Sequence, residues 1–165
     1  PESLDAPQTA LAAIGQYDVR VTPLQVAMVS AAIANDGVMM KPYLVSRVID
    51  SDLTVLRETT PTQLATPISA ATAGVLTDMM IESVDHGTGS AARIPGVAVA
   101  GKTGTAEHGA DAPPHAWFTA FAPADTPQVA VAVIVENGGD LGSEATGGAV
   151  AAPIAKAVIR AVIDR

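Results

Sequence analysis

Apolar and polar positions change period several times along the chain, and each change marks an element. Leu24, Met28, Ala31 and Ala32 recur at helical spacing behind Thr22-Pro23-Leu24-Gln25. Thr22 suits the cap, Pro23 the first helical position, and Gln25 closes a capping box, so a helix opens there. Asn35-Asp36-Gly37 ends it, with Gly37 placed for a left-handed cap. Residues 43–50 and 53–57 are rich in Val, Ile and Leu around Ser51-Asp52, which predicts a hairpin. After a Pro/Thr-rich connection over 59–67, Ser69 caps a second helix with Val75, Leu76, Met79, Met80 and Val84 on one face. That helix stops at His86-Gly87-Thr88-Gly89. Three strands follow, over about 97–105, 115–122 and 129–136. A Gly/acid-rich loop over 137–148 leads into a last helix ending near Ile163. Val150, Ile154, Val158 and Ile159 are its expected buried face, and Pro153 marks an early turn or a kink. Residues 1–20 read as irregular. The order helix, hairpin, helix, antiparallel strands, helix predicts an α+β fold, an antiparallel sheet flanked by helices.

Composition narrows this picture. Of 165 residues, 32 are Ala and 19 Val, while aromatics are 3 %. Small side chains bury little area each, so such a core must be closely packed or lean on a neighbouring segment. The formal charge of −8 argues against a nucleic-acid partner and an anionic membrane surface. With no cysteine, disulfides, thiol catalysis and thiolate metal sites are excluded. No apolar run reaches the roughly 20 residues of a membrane helix. The first residues, Pro1-Glu2-Ser3-Leu4-Asp5, have neither a starting Met nor a signal-peptide pattern, and the chain reads as a piece of a longer one.

The chemically richest segment is Gly96-Val-Ala-Val-Ala-Gly101-Lys102-Thr103-Gly104-Thr105-Ala106-Glu107. Residues 96–103 satisfy the phosphate-loop pattern G-x-x-x-x-G-K-[ST], but in reversed context. Residues 97–100 between the glycines are the strand-like part, and Gly104 and Gly109 oppose a helix after the Lys, so backbone amides would not converge on a phosphate. Read as the end of a strand beside a cleft, the segment makes more sense. The ammonium of Lys102 and the hydroxyls of Thr103 and Thr105 suit a substrate carboxylate. Gly104 allows close approach to the backbone, and a free strand edge can pair with an extended peptide. The Thr105 N–H is placed to serve as one oxyanion donor. Lys-Thr-Gly is one of three elements of serine β-lactamases and penicillin-binding proteins, although alone it is a short signal.

The surroundings extend the match. Ala13-Ile14-Gly15-Gln16 with Val21-Thr22-Pro23-Leu24-Gln25, Ile33-Ala34-Asn35-Asp36-Gly37 with Lys41-Pro42-Tyr43, Gly87-Thr88-Gly89-Ser90, Val99-Ala100-Gly101-Lys102-Thr103-Gly104-Thr105-Ala106-Glu107, Trp117-Phe118, and Gly147-Gly148 with Ala151-Ala152-Pro153 occur in this order. Over nearly its whole length the chain resembles the transpeptidase domain of class B penicillin-binding proteins. The resemblance implies a peptidoglycan D,D-transpeptidase that forms an acyl-enzyme with D-Ala-D-Ala stem peptides and binds β-lactams. It implies roles for Lys102, Thr103 and Gly104 in the catalytic strand and for Thr105, Glu107 and His108 along the substrate. It implies no cofactor and no metal, and a location on the extracytoplasmic face of the bacterial membrane, with the anchor upstream.

The same resemblance implies a nucleophile in S-x-x-K and a second element, S-x-N. None of the eight serines has Lys three residues on, and S-x-N is absent; Ser83-Val84-Asp85 comes nearest. Residues 1–165 are therefore expected to be the C-terminal part of a single transpeptidase domain, inactive alone, whose main partner is the upstream half. A β-lactam sensor of the same fold and a phosphate-loop nucleotide binder stay open as alternatives. There is no G-x-S-x-G elbow, and His86, His108 and His115 lack the spacing of a zinc motif. His108, Asp111 and His115 share one segment that reads as a solvated loop, as do the acids near Asp140 and Glu144. Trp117 and Phe118 read as core, and Met39-Met40 as packing.

Overall fold

The computed structural model describes residues 5–109 and 112–165. Its centre is a three-stranded antiparallel sheet in the order β5-β6-β7, made of β5 (Ala100–Ala106), β6 (His115–Ala122) and β7 (Val129–Val135). Helices cover both faces, as expected for an α+β layer fold. The remaining strands are short: β1 (Met39–Met40) pairs with β4 (Gln63–Ala65), and β2 (Arg47–Ile49) with β3 (Val55–Glu58). The β2–β3 hairpin lies where the apolar runs place it. The β1–β4 pair has no counterpart in the sequence pattern, because Met39–Met40 is only two residues long and β4 lies inside what reads as a Pro/Thr-rich connection.

Helix starts follow their capping chemistry. In α2 (Pro23–Ala34), Thr22 and Gln25 form the full capping box behind Pro23. At its other end the Gly37 N–H reaches the Ala32 carbonyl at 2.8 Å, and the left-handed residues are Asp36 and Gly37 together. In α3 (Ala70–Asp85), Ser69 accepts from the Thr72 N–H. One helix was not anticipated. α1 (Ala6–Ala13) occupies part of the segment read as irregular, and Asp5 with Gln8 builds the same capping box around Pro7. It buries no residue, so it lacks the apolar stripe by which helices are recognised.

One face of the sheet packs on α4 (Ala152–Ile163), which a short wide turn over Gly147–Ala151 introduces with Pro153 in its first turn. Phe118, Ala120 and Ala122 of β6 and Val131 of β7 meet Ala151, Ala152, Ala155 and Ile159 there, with Val84 of α3 at the margin. The buried stripe of α4 is thus mostly alanine. Ile154 and Val158, expected inside, stay 47 % and 42 % exposed. In α3 the expected face is likewise rotated: Ala73, Met80 and Val84 are buried, while Val75 and Met79 are exposed. The other face of the sheet meets α2, where Met80, Ala100 and Phe121 form a second cluster with Ile33 and Ala34. Ser30 of α2 is fully buried and its hydroxyl lies 2.6 Å from that of Thr119 on β6. Thr119 donates to the Val131 carbonyl, so Ser30 donates to Thr119. No single helix among the described residues is long and apolar enough to cross a membrane.

Candidate active site

The Lys102-Thr103-Gly104-Thr105 segment lies within β5, which pairs with β6 along one side only and so forms an edge of the sheet. The strand runs through Lys102 and no helix follows it, which removes the phosphate-loop alternative. The antiparallel register sets Lys102 opposite Thr119, Thr103 opposite Phe118, Gly104 opposite Trp117 and Thr105 opposite Ala116. Alternation along a strand then decides where each side chain goes. Lys102 and Gly104 face the α2 side with Thr119 and Trp117. Thr103 and Thr105 face the α4 side. The ammonium and the two hydroxyls expected as one cluster therefore do not share a face; they share the edge.

Two side-chain donors already use that edge. The Lys102 ammonium donates to the Thr103 carbonyl at 2.7 Å. The Gln16 side-chain amide donates to the Thr105 carbonyl at 3.3 Å. In an antiparallel strand a residue's N–H and C=O point to the same side, so the Thr105 N–H also faces outward. An oxyanion arriving along the edge would meet it. On the α4 side the Thr103 hydroxyl is 2.7 Å from that of Thr88, in the turn after α3. Gly147 seals this side of the strand: a Cβ there would run into the Trp117 carbonyl and into both the N and O of Gly104. The close approach that Gly104 permits is thus used by another glycine of the same chain.

In front of the edge lies a cleft of about 790 Å³. Its floor is the end of β5 and the two residues after it, 102–108, with Trp117, Thr119 and Ile134, and its wall is the segment 14–21 with Val26 of α2. Trp117 was expected in the core. It is half-buried and lines the cleft, while its neighbour Phe118 points the other way and is fully buried. The segment 14–21 enters the sequence reading only through the family resemblance, with no role at the site, and Gln16 reaches β5 across 89 residues of chain.

Glu107 and His108 are solvent-exposed residues at the cleft rim. His108 stacks on His115 with ring centroids 3.8 Å apart. A carbonyl only accepts, so the contact of 2.9 Å to the Pro113 oxygen makes His108 Nε2 a donor. His115 Nδ1 accepts from the Asn137 N–H at 3.0 Å, which leaves its proton on Nε2. Asp111, which the sequence groups with these histidines, lies outside the described residues. No three His, Cys, Asp or Glu side chains converge among the described residues. Asp140 and Glu144 are exposed, as a solvated loop requires.

Residues 5–160 match the family described as "Penicillin binding protein transpeptidase domain". The chain is 52 % identical over 163 residues to the peptidoglycan D,D-transpeptidase PbpA of Mycolicibacterium smegmatis, covering 97 % of this chain and 33 % of that protein. It is 49 % identical over 165 residues to PbpA of Mycobacterium tuberculosis, with the same shares. Among solved structures, penicillin-binding protein A from M. tuberculosis as its ceftriaxone acyl-enzyme complex superimposes with a TM-score of 0.85 at 49 % identity, over 93 % of this chain and 35 % of that one. A D,D-transpeptidase domain from Eggerthella lenta gives 0.78 at 39 % identity, over 88 % and 33 %. The chain spans about a third of the length of the curated relatives it matches.

Proposed function

This chain belongs to the family of penicillin-binding protein transpeptidase domains, and we propose that it builds one wall of the active site of a peptidoglycan D,D-transpeptidase. The observation that carries the proposal is the free edge of β5, with Lys102-Thr103-Gly104-Thr105 along it and a cleft in front of it. Lys102 and the Thr103 hydroxyl hold the terminal carboxylate of a D-Ala-D-Ala stem peptide, since a cation and a hydroxyl are strong donors to a carboxylate. The outward Thr105 N–H stabilises the oxyanion. Glu107 and His108 border the bound peptide at the rim. In this reading the Thr88 hydroxyl, 2.7 Å away, donates to the Thr103 hydroxyl and leaves the Thr103 proton for the carboxylate.

The nucleophile comes from a segment outside these 165 residues, because no Ser here has Lys three positions on. Its serine oxygen attacks the carbonyl of the penultimate D-Ala, and the terminal D-Ala leaves with the proton. An amine of a second stem peptide then attacks the ester and frees the serine. β-Lactams present the same carboxylate and acylate the same serine. That outside segment completes the domain, and Leu24, Val29, Val75 and Met79, exposed on α2 and α3, offer apolar surface for it. The complete protein works at the extracytoplasmic face of the membrane, where peptidoglycan is assembled.

Labelled penicillin tests this reading. The 165-residue chain alone should retain no covalent label, and the intact protein should. Lys102→Ala should lower the acylation rate constant of the intact protein by about 10- to 100-fold, the worth of one charge-assisted hydrogen bond. Label on the isolated chain, or an intact Lys102→Ala protein acylated at the full rate, overturns the assignment.

A further inference from the structure

The contact between Gln16 and Thr105 has a second meaning. The turn that makes it is built deliberately into the chain. The Gln16 N–H bonds the Leu11 carbonyl at 3.0 Å and the Gly15 N–H bonds the Ala12 carbonyl at 3.0 Å, which is the two-bond helix ending that requires a left-handed residue between them. Gly15 supplies it at φ 79°. The next residue, Tyr17, is also left-handed at φ 67°. This double reversal holds Gln16 half-buried against β5 while its neighbours on both sides stay exposed.

At that position Gln16 offers an amide N–H to the outward carbonyl of an edge strand, which is the contact that a peptide paired along the edge would make. A paired strand lies about 4.8 Å from its neighbour, so it would occupy the space of the Gln16 amide. At 3.3 Å the bond is longer than the usual range and correspondingly weak.

We infer that Gln16 is a placeholder that keeps the Thr105 carbonyl paired in the empty site and gives way to the amide N–H of an incoming ligand, so that it sets which ligands bind well. A ligand with an N–H at that point replaces the bond it breaks. A ligand without one leaves Gln16 in place. This role rests on the transpeptidase reading above.

The test compares acylation of the intact protein by penicillin G, whose side chain carries an amide N–H, with acylation by imipenem, whose hydroxyethyl group does not. Both drugs form acyl-enzymes with penicillin-binding protein A of M. tuberculosis. Removing the competitor in Gln16→Ala should raise the penicillin-to-imipenem ratio of acylation rate constants about 2- to 10-fold, the net worth of one neutral hydrogen bond. Gln16→Met, which keeps the length and loses the donor, should shift the ratio the same way by less. A structural role alone would move both drugs together. An unchanged ratio in both variants overturns the placeholder and leaves the transpeptidase reading standing. A wild-type protein acylated by neither drug overturns that reading and the placeholder with it.

Discussion

Two antiparallel strand pairs in this molecule have opposite fates. In the β2–β3 hairpin every strand residue is exposed, including Val48, Ile49, Val55 and Leu56. In the β5–β6 pair, β6 has no exposed residue and five of its eight residues are fully enclosed. The exposed pair carries Val48, Ile49, Val55 and Leu56 beside Arg47, Arg57 and Glu58; in the buried pair Trp117, Phe118 and Phe121 stand among alanines on β6, and β5 carries the small Gly101, Thr103, Gly104 and Thr105. Apolar content therefore predicts that a strand forms and says little about whether helices can cover it. What allows cover is small size: Gly147 sits on the backbone of Gly104, and Ala151, Ala152 and Ala155 bring α4 down onto Phe118. Only a strand held that rigidly can present an edge with its carbonyls and N–H groups in fixed directions, and that edge is the site.

The largest expected effect strikes the buried pair. Phe118→Ala removes a fully enclosed ring between α3, α4 and the sheet, and should destabilise the intact protein by about 3–5 kcal/mol, read from urea unfolding. A cost under about 1 kcal/mol would mean that the face collapses easily, and would break the contrast. Gly147→Ala is the next in size. The added methyl meets backbone atoms of Trp117 and Gly104 that cannot step aside, so a cost of about 2–3 kcal/mol is expected, with slower acylation as β5 shifts. Acylation unchanged at normal stability would show that Gly147 does not hold the strand.

Ser30→Ala probes the other face at lower stakes. It leaves Thr119 donating to Val131 but removes the hydroxyl that donates to it, a loss of about 1 kcal/mol by thermal or urea unfolding. An effect of several kcal/mol would make the Ser30–Thr119 pair, rather than small-residue packing, the main tie between α2 and the sheet.

What the sequence revealed follows the same division. Thr22-Pro23-Leu24-Gln25 and Ser69 announced their helices because capping is local chemistry. Asp5-Ala6-Pro7-Gln8 carries the same kind of capping box, but α1 buries nothing and offers no periodicity to confirm it. Side-chain size favours Val75, Ile154 and Val158 as buried positions of α3 and α4, whereas close packing on the sheet takes Ala73 with Met80 and Val84 in α3 and Ala152, Ala155 and Ile159 in α4. In the site, the strand and its Lys102-Thr103-Gly104 element were legible as a motif. The opposite facing of Lys102 and Thr103 follows from strand alternation, which the motif by itself does not carry. The wall over 14–21 is legible only as part of the family resemblance; its place beside β5, and that of Gln16 above all, is not, because nothing in its composition points at a strand 89 residues away.

The smallest expected effect is the sharpest test of the comparison. Leu56 in β3 is 65 % exposed, and its side chain touches neither core cluster. Leu56→Ala should therefore change the stability of the 165-residue chain by no more than about 0.5 kcal/mol, as for other surface substitutions. The informative measurement repeats the substitution in the intact protein. If the hairpin is solvated there too, the cost stays as small. A cost of about 2 kcal/mol or more in the intact protein would mean that Leu56 is buried there, against a segment outside these residues. The two strand pairs would then differ in who covers them rather than in whether they are covered, and the apolar pattern that predicted the hairpin would be reporting burial after all.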